Sequence, residues 1–384
     1  MRLISQGVCG AAAALIAGSA AAQSSVTLYG VVDVFGQYLD NGGNHSFSER
    51  SGGNTGSQFG LKGTEDLGNG LKAIFDVENG FNVNNGSFFA VNNDMFYRQS
   101  WVGLSNDKYG SLTFGRQYQP TFWVVYPTDP FRGNEILSPL TAGVLAVDTK
   151  SLATQSVTGR TSNSILYRSP NLGGFQFYGM YGLAASQTLA ASGVTQNAGN
   201  TLDLAMSYSG YGLYAALAYQ YQHAGTEAGI ATPAAYVKLL GSTFTMNLVD
   251  TEHYTAALGY RIGIVNLQFN YSYSKPHDAP AHSLAAIFDA ANSNSLIEAG
   301  ATIQATSVDA IEIAGIARDV RGADDNTEGV ELGIDHNLSP RTVLYARAGY
   351  MKNNGVAEMS WPGIAVASTD TKQILAVLGM THRF

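Results

Sequence analysis

From Val265 to Ser274 the chain alternates without a break. Val265, Leu267, Phe269, Tyr271 and Tyr273 take the odd positions, and Asn266, Gln268, Asn270, Ser272 and Ser274 the even ones. Successive side chains of a strand point to opposite faces, so this segment has one apolar and one polar face. The same split recurs in Leu202, Leu204, Met206 and Tyr208 against Asp203 and Ser207. It recurs in Leu213, Leu217, Tyr219 and Tyr221 against Tyr214, Gln220 and Gln222, and in Leu71, Ala73, Phe75 and Val77 against Lys72, Asp76 and Glu78. Sixteen such segments are predicted, near 25–39, 54–65, 70–80, 95–106, 110–117, 160–169, 173–183, 201–209, 212–223, 252–261, 264–275, 295–305, 308–318, 327–338, 341–352 and 371–384. The alternation is poorest in the twelfth and thirteenth.

The connections follow a rule of their own. Tight turns such as Leu67-Gly68-Asn69, Pro170-Asn171-Leu172 and Ser339-Pro340 follow the even-numbered segments. Longer polar loops follow the odd ones, at 40–53, 81–94, 118–159, 184–200, 224–251, 276–294, 319–326 and 353–370. One end of the sheet is thus trimmed and the other elaborated, as in an outer-membrane barrel with short periplasmic turns and long external loops. The expected fold is all-β, a 16-stranded antiparallel transmembrane β-barrel. A soluble β-sandwich would share the period of two. Against it stand Tyr and Phe near segment ends, as interface girdles require, and charges on the opposite faces. A lone sheet also cannot present its edges to lipid, so the strands must close on themselves.

Composition narrows the choice. Of 384 residues, 13% are charged and 45% hydrophobic, with 44 Gly, 21 Tyr and 17 Phe. A soluble domain carries about 25% charged residues. The formal net charge of −8 speaks against a nucleic-acid partner, which demands a positive face. Spanning helices need about 20 consecutive apolar residues, and stretches such as Ala142 to Val147 fall short. At the N-terminus, Arg2 precedes an apolar run from Val8 to Ala17, and Ala20-Ala21-Ala22 reads as a cleavage site before Gln23. Residues 1–22 are therefore expected to be a cleaved secretory signal, and 23–384 the barrel domain. Cleavage removes Cys9, the single cysteine, so no disulfide stabilises the mature chain.

The mature start, Ser24-Ser25-Val26-Thr27-Leu28-Tyr29-Gly30-Val31-Val32-Asp33, resembles the first strand of the Gram-negative general porins of the betaproteobacterial type. Further blocks resemble the same family in the same order: Phe59-Gly60-Leu61-Lys62-Gly63-Thr64-Glu65-Asp66-Leu67-Gly68, Arg98-Gln99-Ser100-Trp101-Val102-Gly103-Leu104, Gly110 to Gln117, Asn163 to Pro170, Leu338 to Thr342, and the final His382-Arg383-Phe384. The stretch 276–320 matches poorly. The resemblance implies an outer-membrane homotrimer, set among lipid and lipopolysaccharide, that passes small hydrophilic solutes and ions by diffusion. It also implies that Phe384 is the signal read by the barrel-assembly machinery.

The loop after the fifth segment, 118–159, is the longest. Loops of this length are usually functional or disordered. Its apolar residues Phe122, Trp123, Val124, Val125, Tyr126, Phe131, Leu137 and Leu140 do not suit a solvated loop, so it is expected to fold inward and narrow the channel. The family implies the same. Charges at such a narrowing bias ions by sign. With Phe59 and Leu61 outward, Lys62 faces the lumen. With Trp101 and Gly103 outward, Arg98 faces in, and with Ile165 and Tyr167 outward so do Arg160 and Arg168. These four form a predicted basic wall. Arg98 and Arg160 stand where the family carries constriction arginines, and Gln58 where it usually has another. On the loop, Asp129 and Glu135 are the expected acidic counterpart, with Arg132 among them. The plainer reading makes Lys62, Arg98 and Arg168 solvated lumen residues.

Arg116 has the outward parity of Leu112 and Phe114. A charge facing lipid costs about 2–4 kcal/mol near the midplane. Either a neighbouring subunit covers it, as the family implies, or it snorkels to headgroups. Enzyme signals are lacking: there is no His-Glu-x-x-His, no Gly-Lys-Ser/Thr phosphate loop and no Gly-x-Ser-x-Gly. No cofactor or metal is expected; Asp324 to Glu328 offers oxygen ligands that suit Ca²⁺ but reads more simply as a hydrated external loop. The expected function is passive diffusion. The alternatives are a solute-selective channel, with Tyr118, Phe122, Trp123 and Tyr126 as a sugar slide, and an adhesin or receptor barrel.

Overall fold

The computed structural model describes residues 25–89, 95–134, 136–144, 159–189, 194–198, 200–223, 226–228, 250–278, 286, 289, 291–357, 359–362, 364 and 371–384. The expected signal segment and Glu135 lie outside them. In chain order the strands are β1 (Ser25–Asn41), β2 (Asn44–Ser51), β3 (Gln58–Gly68), β4 (Leu71–Gly80), β5 (Gln99–Asn106), β6 (Gly110–Tyr118), β7 (Arg160–Arg168), β8 (Phe175–Gly182), β9 (Ala185–Leu189), β10 (Val194–Ala198), β11 (Thr201–Gly210), β12 (Leu213–Gln222), β13 (Thr226–Ala228), β14 (Thr251–Ile262), β15 (Val265–Pro276), β16 (Asn294–Gln304), β17 (Asp309–Val320), β18 (Asp325–Ser339), β19 (Thr342–Gly355) and β20 (Lys372–Arg383). Between β6 and β7 stand two short helices, α1 (Pro120–Val125) and α2 (Pro139–Val144), with a 3-10 turn at Tyr126–Thr128.

Sixteen antiparallel strands form a closed barrel, each paired with its neighbour in the wall. The ring closes where β1 meets β20, in register from Val31 opposite Arg383 to Asn41 opposite Gln373. The first half of β1 pairs with β3 on its other edge, from Ser25 opposite Thr64 to Val31 opposite Gln58. Phe384 finishes the seam: Gly30 N–H donates to its carbonyl at 3.2 Å and its own N–H returns to Gly30 at 3.1 Å. The Phe384 ring lies where a Cβ on residue 30 would stand, so only glycine fits there. Closure leaves no open edge to meet lipid.

The alternating pattern produces this wall directly. Leu204, Leu217, Phe269 and Leu332 are exposed on the outside, while Asp203, Gln220, Asn270 and Glu331 are buried on the inside. The poorly alternating twelfth and thirteenth segments form β16 and β17, regular partners from Asn294 opposite Val320 to Gln304 opposite Ala310.

Two expectations are corrected. Residues 44–51 of the first loop form β2, a hairpin that continues along β1 from Val34 opposite Ser51 to Asn41 opposite Asn44. Trp101 and Gly103 face inward, not outward: Trp101 lies opposite Asp76, and Ser100, Val102 and Leu104 are the exposed residues of β5. Arg98 precedes the first residue of β5, so strand parity does not extend to it. Elsewhere β9, β10 and β13 form a small separate sheet outside the wall.

The inner face is not polar throughout. Phe35, Leu39, Leu296, Ile316, Tyr345, Met351, Leu375 and Val377 build an apolar patch inside the barrel. Ile136, Leu137, Leu140 and Ala142 of the β6–β7 loop cover it, as do Met359 and Trp361 of the β19–β20 connection. An apolar patch inside a water-filled cylinder demands such cover.

Candidate functional site

The β6–β7 loop crosses the lumen because its sequence matches the inner wall at successive points. α1 lays Val124 against Tyr178, Ala205, Ala216, Ala218 and Ala257, a patch of small residues that lets the helix approach. Thr121 donates its hydroxyl to Asp203 at 2.8 Å and its amide to the other carboxylate oxygen at 3.3 Å. The Tyr214 hydroxyl donates to the Val124 carbonyl at 2.8 Å. Further on, the Asn270 amide donates to the Thr128 carbonyl at 2.9 Å, the Thr128 hydroxyl to Asn270 at 2.6 Å, and Gln268 to the Pro127 carbonyl at 3.2 Å. Past the turn, Leu137 is fully buried in the inner apolar patch. A neutral hydrogen bond contributes about 0.5–1.5 kcal/mol and one to a charged group about 1.5–3 kcal/mol, so the set fixes the loop firmly.

Asp129 does not face the opening. Its carboxylate accepts from Phe131 N–H at 2.8 Å, Gly133 N–H at 2.6 Å and the Ser138 hydroxyl at 2.7 Å, and the residue is wholly buried. Burial pushes this carboxyl above the ordinary aspartate range, and the three donated bonds pull it back. The physical reason for the correction lies in Asp129-Pro130-Phe131-Arg132-Gly133: an aspartate that caps the following turn cannot also reach across a channel. Arg132, in the left-handed region at φ 56°, is the exposed charge of that turn.

Arg98 and Arg160 come together at one phenol. Both guanidinium groups donate to the Tyr118 hydroxyl, at 2.9 and 2.6 Å, and the Arg160 guanidinium lies 4.4 Å from the Tyr118 ring centre. Arg98 also pairs with Glu78 at 2.7 Å. Glu78 accepts further from Tyr29 at 2.9 Å and Gln58 at 3.0 Å. Arg98, Arg160 and Glu78 are all buried, so the cluster is a compensated network and not a bare basic wall. Glu78 had no assigned role in the sequence reading, although its position on the polar face of its strand already pointed it inward.

Lys62 and Arg168 lie apart from that network, and both are exposed on the inner face. Lys62 stands opposite Asp76 in register, with its ammonium 5.0 Å from the Tyr29 ring centre. Arg168 reaches the loop aromatics, 6.0 Å from the Trp123 ring centre and 5.5 Å from that of Tyr178, and donates to Gln176 at 3.2 Å. Tyr118 stacks on Phe122 with centroids 4.4 Å apart, and Trp123 and Tyr126 are partly exposed beside them. Arg116 sits just after a bulge at Gly115, whose φ of 132° requires glycine. It lies opposite Ser100 on the outward face and donates to the Tyr97 carbonyl and, at 2.9 Å, to Ser162. Its own chain therefore solvates much of that charge.

Asp33 is a further residue that sequence reasoning missed. Its buried carboxylate accepts from the amides of Gly53, Asn54 and Thr55 at 2.8–3.0 Å, from Tyr345 at 2.6 Å and from Thr381 at 2.5 Å. It thereby holds residues 52–55 inside the barrel, where Asn134 of the crossing loop donates to the Gly52 carbonyl at 3.0 Å. Asp33→Ala strands five donors and is expected to cost roughly 3 kcal/mol or more. Unfolding in urea should show this as a lowered midpoint, while Ser46→Ala on exposed β2 should leave it unchanged; equal midpoints would contradict the anchor.

Similarity to known proteins fits this geometry. Residues 10–356 match the model of the Gram-negative porin family. An outer membrane porin protein of Bordetella pertussis is 29% identical, covering 97% of this chain and 98% of that protein. Outer membrane porin protein 32 of Delftia acidovorans is 28% identical, covering 89% of this chain and 88% of the other. Among solved structures, an anion-selective porin from Comamonas acidovorans superposes with a TM-score of 0.74 at 25% identity, over 94% of this chain and 100% of that one.

Proposed function

Because the chain belongs to the Gram-negative porin family, we propose that its channel, open to small hydrophilic solutes and ions, favours anions. The protein is an outer-membrane porin, a path for diffusion and not an enzyme. The observation that carries the preference is the unequal exposure of charge inside the barrel. Lys62, Arg132, Arg168 and Arg261 are exposed. Asp33, Glu78, Asp129, Asp203 and Glu298 are buried, all of them held by hydrogen bonds to the loop and the wall. Exposed cations along a low-dielectric wall concentrate anions in the lumen. The anion selectivity of the Comamonas porin agrees with this reading.

The same family membership supports a homotrimer, with Arg116 at the subunit boundary, export directed by residues 1–22, and Phe384 as the terminus that the assembly machinery reads. In this reading the buried Arg98 and Arg160 shape the opening around Tyr118 and contribute to its sign together with Glu78, while the exposed Lys62 and Arg168 contribute the larger share. The partly exposed Trp123 and Tyr126, with Arg168 over Trp123, favour a second reading, weak solute binding along an aromatic strip.

Planar-bilayer recording tests the proposal. Conductance should rise linearly with salt, and the zero-current potential across a KCl gradient should have the anion-selective sign. That selectivity should weaken from 0.1 M to 1 M salt, as the Debye length falls from about 10 Å to about 3 Å. Lys62→Gln with Arg168→Gln should move the potential toward cations. A cation-selective wild type contradicts the proposal, and saturating conductance favours the binding strip.

A further inference from the structure

Beneath the crossing loop, at the short-turn end of the barrel, lies a recess of about 300 Å³. Tyr126, Pro127 and Arg132 of the loop form its roof, and Arg261, Asn266 and Thr302 stand on its wall side. A second recess of about 300 Å³ shares Pro127, Arg261 and Asn266 with it, so Arg261 stands between the two. Arg132 and Arg261 are both exposed. Among the described residues no carboxylate lies within ion-pair distance of either guanidinium. Asp129 also lines the recess, but its side chain is buried, with the carboxylate accepting from Phe131, Gly133 and Ser138.

Two guanidinium groups on one small polar recess, neither in ion-pair contact with a described carboxylate, repel each other, and a bound anion relieves the repulsion. Arginine presents a planar fork of donors that matches carboxylate and phosphate oxygens, and here two forks flank one space. The volume is at the lower bound of small-molecule pockets, which limits the occupant to a few heavy atoms on either side of a short link. We propose that this recess is a docking site for small solutes bearing two anionic groups, phosphate or carboxylate, at the periplasmic mouth of the channel. It is separate from the Arg98–Arg160–Tyr118 network, which belongs to a different arc of the wall. The location rests on the channel reading, since only a solute in the lumen meets this recess; the binding itself can be measured without conduction.

Pyrophosphate is the probe. Its binding to the detergent-folded full barrel is followed by titration calorimetry, with folding checked by circular dichroism. Wild type should bind it. Arg132→Gln and Arg261→Gln should each weaken binding about tenfold, the equivalent of one charge-assisted contact. Arg132→Lys and Arg261→Lys, which keep the charge, should lose less and guard against a folding defect. In bilayers, pyrophosphate should block at lower concentration from the periplasmic side than from the other. That side is marked by a thiol reagent on Tyr211→Cys, in the exposed turn between β11 and β12. Absence of binding to the wild type overturns the proposal. So does binding that persists unchanged in the Arg132→Gln/Arg261→Gln double variant, or block that is equal from both sides. A barrel that conducts but fails these tests leaves the channel standing, whereas binding without conduction would keep the recess and remove the channel.

Discussion

Leu137→Asp should produce a folded barrel with a markedly larger single-channel conductance than the wild type. Leu137 is fully buried where α2 meets the inner wall, among Phe35, Leu296, Tyr345 and Leu375. Burying a leucine there contributes about 1.5–3 kcal/mol. An unpaired carboxylate in the same place costs several kcal/mol more, and the loop can avoid that cost by leaving the wall. The barrel hydrogen bonds do not depend on Leu137, so closure survives while the second half of the loop detaches. Thr121, Val124 and Thr128 still hold the first half. Conductance should therefore rise and become noisier, without loss of the folded state by circular dichroism. Leu137→Met, which keeps volume and polarity, should conduct as wild type does. An unchanged conductance in Leu137→Asp would mean that this part of the loop does not narrow the path.

The second large effect concerns the buried pair of Arg98 and Glu78. Arg98→Met leaves Glu78 without its cation inside the barrel, and removing one partner of a buried pair costs about 3–5 kcal/mol. The bonds from Tyr29 and Gln58 soften that loss without neutralising the charge. Arg98→Met/Glu78→Gln removes both charges and should recover most of the stability, a coupling that a double-mutant cycle in urea would measure. Selectivity should follow the charge left behind. Arg98→Met, and more so Arg98→Met with Arg160→Met, should shift the zero-current potential toward cations, and Glu78→Gln toward anions. Additive stability losses, or a potential that ignores all three changes, would sink this account of the network.

Much of this was legible in the residues. Val265 to Ser274 gave β15 with its faces correctly assigned, and Leu202 to Tyr208 gave β11 with Asp203 inside. The apolar content of Phe122 to Leu140 was enough to place the loop against the wall. The failures have local causes. Apolar Trp101 and small Gly103 suggest the outward face of β5, but Val102 and Leu104, equally apolar, take it, so alternation does not choose between the two faces there, and Arg98 lies before Gln99, where the strand begins. β2 was hidden because Asn44 to Glu49 is exposed on both faces, so neither lipid nor core imposes a period on it. Phe35 and Leu39 sit on the inner face of a strand whose outer face is also apolar. Alternation is silent there, because the inner face is covered by protein instead of water. Asp129 was misplaced because charge alone does not reveal whether an aspartate faces a channel or caps its own turn.

The central claim is that residues 119–134 and 136–144 run inside a closed barrel, and a cross-link tests it most directly. A Cβ on residue 259 of β14 would stand 3.6 Å from the Thr128 methyl group. That spacing is within reach of a disulfide. In Thr128→Cys/Gly259→Cys, oxidation should join the two positions within each folded chain, and the cross-linked protein should still conduct. Two free thiols after oxidation, in a barrel that is folded by circular dichroism, would place the loop elsewhere and contradict the account.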